Sequence, residues 1–223
     1  MRFLDHQNII KLFHQRHACK KFDPSKTISK EDFDTILESA RLAPSAFGLE
    51  PWNIIVLRDK NIKASIYPHA WGGQNALDCA SEFLIILARK NIDLNPDSAY
   101  VEYMMKDIQQ TPKENLAFRK EIFSKFQKDN FNMYNDEKAI FSWACRQCYI
   151  VLSHIMTTAT MLGIDSLAIE GFDQKNINEI LANHNCFDKK HFEVAVMVAL
   201  GHRTTDPKRA KTRQSIDKIV RFV

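Results

Sequence analysis

The chain has 223 residues, 45% hydrophobic and 26% charged, which suits one well-buried water-soluble domain and is too short for two comfortable ones. Its 31 basic residues outnumber its 27 acidic ones by four, a mild bias that favours an anionic small ligand and falls short of a dedicated nucleic-acid binder. No segment reaches the roughly 18 apolar residues of a membrane span, no apolar signal core opens the chain, and five scattered cysteines argue against a disulfide framework, so the sequence predicts a cytoplasmic protein.

Ile9, Ile10, Leu12 and Phe13 predict a short amphipathic helix from Asn8 to about Gln15. It leads into the octet Arg16-His17-Ala18-Cys19-Lys20-Lys21-Phe22-Asp23. In an extended segment Arg16, Ala18 and Lys20 share a face. An arginine fork beside an ammonium suits a phosphate or another delocalised anion. A solvated basic turn is the plainer reading of an isolated cluster. A second basic group, Lys211-Thr212-Arg213, weighs against it.

Ser29 then caps a helix carrying Phe33, Ile36, Leu37, Ala40 and Arg41, with Asp32 completing a near-capping box. The stretch from Ala43 to Pro51 holds two prolines and a glycine and reads as a loop. Trp52–Leu57, Phe83–Ala88 and Phe192–Leu200 are apolar runs that predict buried strands, with a short helix over Ile62–Tyr67. Residues 97–135 are polar and weakly periodic, with Phe118, Phe123, Phe126 and Phe131 interspersed, and predict one or two exposed helices forming a lid or excursion.

Ile140–Leu162 is the longest periodic segment, apolar nearly all round, so it belongs in the core or in a subunit interface. Gly163 stands where a helix ends. The apolar terminus Ile219–Val223 needs burial, for which a strand added to a partner's sheet is one means. Without repeat or linker, residues 1–223 read as a single α+β domain.

Several chemistries lack their motifs: there is no G-x-G-x-x-G, P-loop, H-E-x-x-H or G-x-S-x-G. Cys145 and Cys148 lie inside the long helix without a second Cys/His pair, which points to core thiols and no metal site. His154 reads as a core or interface histidine, and His184 and His191 as solvated.

Four segments taken in order resemble the FMN-dependent nitroreductase family. The octet is similar to R-x-S-x-[KR]-x-[FY], and Pro44-Ser45-Ala46-Phe47-Gly48-Leu49-Glu50-Pro51-Trp52 to P-S-x-x-x-x-Q-P-W. Ile169-Glu170-Gly171-Phe172 is similar to P-I-E-G-[FY], and Lys211-Thr212-Arg213 to K-x-R. The resemblance implies a nitroreductase-like fold: a central, mostly antiparallel sheet flanked by helices, the long helix at a homodimer interface, and a C-terminal arm exchanged with the partner. It also implies FMN at two sites between subunits, with NADH or NADPH as reductant.

On this resemblance Arg16, Lys211 and Arg213 hold the FMN phosphate, His17 and Ala18 belong to the same cofactor segment, and Lys20 lies near the flavin pyrimidine edge. Pro44, Ser45 and Ala46 approach from the other subunit. Ile169, Glu170 and Gly171 flank the flavin N5, Gln147 touches the cofactor, and Gln74 or Asn75 stands in for a lysine that many members place near N1. Phe123 or Phe126 could gate substrate, although core packing is the better reading of either. Ala18 for serine, Ala168 for proline and Glu50 for glutamine depart from the family pattern.

The activity so implied is two-electron, ping-pong reduction of nitroaromatics, quinones or flavins, with no protein acid or base required. Alternatives are a relative that fragments flavin or dehalogenates an aromatic, and a non-catalytic binder of phosphorylated ligands. No nucleic-acid or membrane partner is expected.

Overall fold

A computed structural model describes residues 5–223. The order of elements is α1 (His6–Gln15), α2 (Lys30–Arg41), β1 (Trp52–Val56), α3 (Lys60–Ile66), α4 (Gln74–Cys79), β2 (Glu82–Arg89), α5 (Asn91–Leu94), α6 (Ala99–Tyr103), α7 (Lys113–Lys125), α8 (Glu137–Met161), β3 (Asp165–Ile169), α9 (Gln174–Asn183), β4 (Phe192–Gly201) and α10 (Ile216–Ile219). The strands form one antiparallel sheet in the order β1-β2-β4-β3. The α+β class and antiparallel sheet expected from the sequence are present.

The sheet is covered on both faces, which is why its central strands are continuously apolar. Leu84, Ile86 and Ala88 of β2 turn toward α2 and α8, whereas Phe83, Ile85 and Leu87 turn toward α3, α4 and α9. In β4 the alternation breaks where Ile86 pairs with Val196 but Leu87 pairs with Val194. The extra residue, Ala195, makes a bulge that keeps Val194 and Val196 on opposite cores although they are two positions apart. β3 was not separable in the sequence from the motif that follows it. It is short, contains Asp165, Ser166 and Ala168, and takes its order from pairing with β4.

The capping at Ser29 holds, its hydroxyl accepting from the Asp32 backbone N–H. α8 runs through the molecule with Ile140, Trp143, Ala144, Val151, Leu152 and Ile155 buried. Its other side, with Ser142, Arg146, Tyr149 and Ser153, is open to solvent. The buried side meets the expectation of a core helix, and the open stripe is left uncovered within one chain. Among the described residues no helix is long and apolar enough to cross a membrane.

The segment 97–135 is more ordered than its polarity predicted. Two π-helical turns, Met104–Ile108 and Phe126–Asn130, interrupt its helices and spoil the 3.6-residue pattern. Beneath them Phe47, Phe123, Phe126 and Trp143 form an aromatic cluster with centroids 5.0–6.3 Å apart. Phe123 is fully buried there, so the structure places it in the core. Phe126 is half-buried in the same cluster. His191 is also not simply solvated. Its Nδ1 lies 2.8 Å from the buried carboxylate of Asp93, which pairs with Arg89 as well.

Candidate functional site

The basic octet runs along the ends of β3 and β4. Ala18 bridges in parallel to Ser166, and the Cys19 amide donates to the Ser166 carbonyl at 3.1 Å. Phe22 is buried against Gly201, where a Cβ would lie 2.8 Å from the phenyl Cδ1, and the Asp23 amide donates to His202 at 2.7 Å. Cys19 and Phe22 anchor the segment inward, leaving Ala18 and Lys20 exposed. Burial pushes the Cys19 thiol up to about 11, so it is a packing group and no nucleophile.

Arg16 caps the C-terminus of α1 and meets the far end of the chain. The Lys211 ammonium donates to the Phe13 carbonyl. Its pKa is held below the ordinary lysine value, first by partial burial and then by the neighbouring charges of Arg16 and Arg213. None of these three cations is in a salt bridge among the described residues. Three mutually repelling cations gathered across about 200 residues of sequence form a corner that fits an anionic group. Arg203, close by, is committed to Asp165 at 3.0 Å. Behind Arg16 and His17 the hydroxyl of Ser166 is buried without a partner among the described residues.

The other predicted residues fall into two groups on different sides of α8. In one, the Gln147 carboxamide oxygen accepts from the Ala46 backbone N–H at 3.0 Å, and the Ser45 hydroxyl accepts from the Glu50 amide at 2.9 Å. Pro44, Ser45, Ala46 and Gln147 are thus brought together. The loop they share is strained, with Phe47 and Glu50 at φ of 58° and 45°. Gln109 holds it by donating to the Phe47 and Gly48 carbonyls, and Tyr100 by donating to those of Leu49 and Glu50.

In the second group the Ile169-Glu170-Gly171 turn meets the loop before α4. The Gly72 amide donates to the Gly171 carbonyl at 2.6 Å. A Cβ on Gly72 would lie 2.9 Å from the Gly171 Cα, so only glycine allows this backbone approach, whereas one on Gly73 would lie 2.9 Å from the terminal methyl of Ile169. Gln74 turns back to the Tyr67 carbonyl at 3.1 Å. The Tyr149 hydroxyl donates to the Glu170 carboxylate, and burial together with that carboxylate raises the phenol's pKa. Tyr149, Trp71 and Gln109 escape sequence reasoning, because only the fold brings them to the motifs.

Fold and clustered cations together define the class: a three-layer α+β protein with a cationic corner built from both ends of one chain. The model described as "Nitroreductase family" matches residues 14–202, and the chain belongs to the nitroreductase family, a family of oxidoreductases. Over 217 residues it is 43% identical to a Staphylococcus aureus protein carrying the name "Putative NAD(P)H nitroreductase", covering 97% of this chain and 96% of that one. Among solved structures, a Bacillus subtilis nitroreductase-titled chain superposes with a TM-score of 0.80 at 22% identity, covering 98% of this chain and all of that one. A chain from Exiguobacterium sibiricum, titled as a nitroreductase in complex with FMN, gives 0.75 at 21% identity, covering 100% of this chain and 99% of that one.

Proposed function

We propose that this chain binds FMN between two copies of itself and uses NADH or NADPH to reduce nitroaromatics, quinones or flavins by two-electron, ping-pong transfer. The observation that carries the reading is the cation group Arg16, Lys211 and Arg213, which fits a phosphate in charge and donor type. FMN, when bound, supplies the hydride-carrying atom between reductant and oxidant. Every other contribution belongs to the protein.

Arg16, Lys211 and Arg213 hold the phosphate, with His17 and Ala18 lining the same segment. Lys20, exposed on that segment, supplies a fixed positive charge where reduction places negative charge. The Ile169-Glu170-Gly171 backbone and Gln74 border the ring. Glycines at 72, 73 and 171 let the backbone come close without a side chain in the way.

The two groups around α8 support a dimer. Gln147 and Tyr149 are two residues apart, about 200° around the helix, and they face the Ala46 loop and the Glu170 turn respectively. One chain therefore presents its two half-sites in different directions, and a second copy is needed to bring unlike halves together. Exposed Ile9, Ile10 and Phe13 on α1 and Phe222 at the C-terminus, which is 95% exposed, offer apolar surface for that contact.

The test is steady-state kinetics with each nicotinamide nucleotide against a nitrofuran, a naphthoquinone and free FMN. Parallel double-reciprocal lines are expected for at least one pair. Absence of turnover with every pair would overturn the reading.

A further inference from the structure

We propose that Trp71 is a specificity-determining wall of the reaction site, receiving flat aromatic oxidants at the Glu170-Gly171 turn. The proposal rests on the reading of that turn as the place of hydride transfer.

The chain has three tryptophans. Trp143 is 2% exposed, Trp52 is half-buried, and Trp71 is 72% exposed. Leaving so large an apolar ring in water forgoes burial energy that the other two recover. Yet the loop that carries Trp71 is tightly placed. The Gly72 amide donates to Gly171 at 2.6 Å, the Gly73 amide to Ala70 at 2.8 Å, and the Asp173 amide to His69 at 2.8 Å.

The benzenoid part of the indole rests on Gly171. A Cβ there would lie 2.8 Å from Trp71 Cζ3 and 2.9 Å from Cε3. An exposed ring on a fixed backbone, touching the glycine of the site motif, is a platform for another ring. Its partner would be planar and electron-poor, since offset stacking on an indole favours such rings. Nitroarenes and quinones have that form. Ferricyanide, a compact hydrophilic anion, gains nothing from an aromatic wall.

The electrons balance in each case. A quinone takes one hydride and one proton from water to become a hydroquinone. A nitroarene takes the same and yields a nitroso compound and water. Two ferricyanide ions each take one electron, and the proton of the hydride is released to water.

The experiment compares the FMN-loaded full chain with Trp71→Phe and Trp71→Ala, measuring kcat/KM for a naphthoquinone as a ratio to that for ferricyanide. The ratio should fall about tenfold in Trp71→Ala, carried mainly by KM for the quinone, and stay within about threefold in Trp71→Phe. The quinone should also quench more indole emission in the wild type than in Trp71→Phe. An unchanged ratio in Trp71→Ala would overturn the proposal, as would loss of the dimer with the ratio unchanged, which would assign Trp71 to the subunit contact. Failure of the underlying reading is distinguishable. It appears in the wild-type protein alone, as absence of bound FMN or of any ferricyanide reduction, and takes the proposal with it.

Discussion

Among the described residues Lys211 meets Arg16 and Arg213 with no carboxylate in a salt bridge to any of them, and its pKa is depressed by partial burial first and like charge second. An arriving phosphate reverses the second effect and raises that pKa toward its ordinary value. FMN binding at alkaline pH should therefore take up protons, and affinity should fall as pH rises through the window below the ordinary lysine value of 10.5. Calorimetric titrations in two buffers of different ionisation heat would detect the uptake, and equal heats would contradict it. Arg16→Ala should weaken FMN binding about 10- to 150-fold, the equivalent of one charge-assisted contact of about 1.5–3 kcal/mol. Lys20→Ala should in addition make the flavin midpoint potential more negative, because the cation favours the reduced form. Spectroelectrochemical titration separates the two roles. The octet was legible because cations crowded into a few positions are visible in one dimension. Trp71 and Tyr149 were not, because neither lies within a motif and only the fold gives them neighbours.

The glycine contact between the Gly72 loop and the Gly171 turn is the element-scale feature on which the site geometry depends. Gly171→Ala would drive a methyl into the Trp71 ring and against Gly72 Cα, 2.9 Å away. A cost of about 1–3 kcal/mol is expected, with a lower melting temperature and poorer FMN retention. Unchanged melting would show that the loop moves aside freely. β1, β2 and β4 were legible because strands covered on both faces keep runs of Ile, Val and Leu. β3 was hidden, since Asp165 and Ser166 serve contacts with Arg203 and the octet instead of a hydrophobic layer. The excursion was hidden for a different reason. Two π turns shift its phase, so its helices read as exposed although Phe123 lies in the core.

At the scale of the molecule, the proposed composite site would make cofactor binding depend on association. α10 and the tail after it expose Ile216, Ile219, Phe222 and Val223. Removing residues 216–223 leaves Lys211 and Arg213 in place, and should shift the protein toward monomer and lower FMN content together. Sedimentation velocity monitored at protein and flavin wavelengths checks both. A monomer that retained FMN would contradict the composite site. FMN binding by this chain is read from the absorbance spectrum of the purified protein, with bound flavin extracted and counted per chain. A yellow protein with flavin bands and one FMN per chain is expected. A colourless protein that takes up no FMN on reconstitution would contradict it.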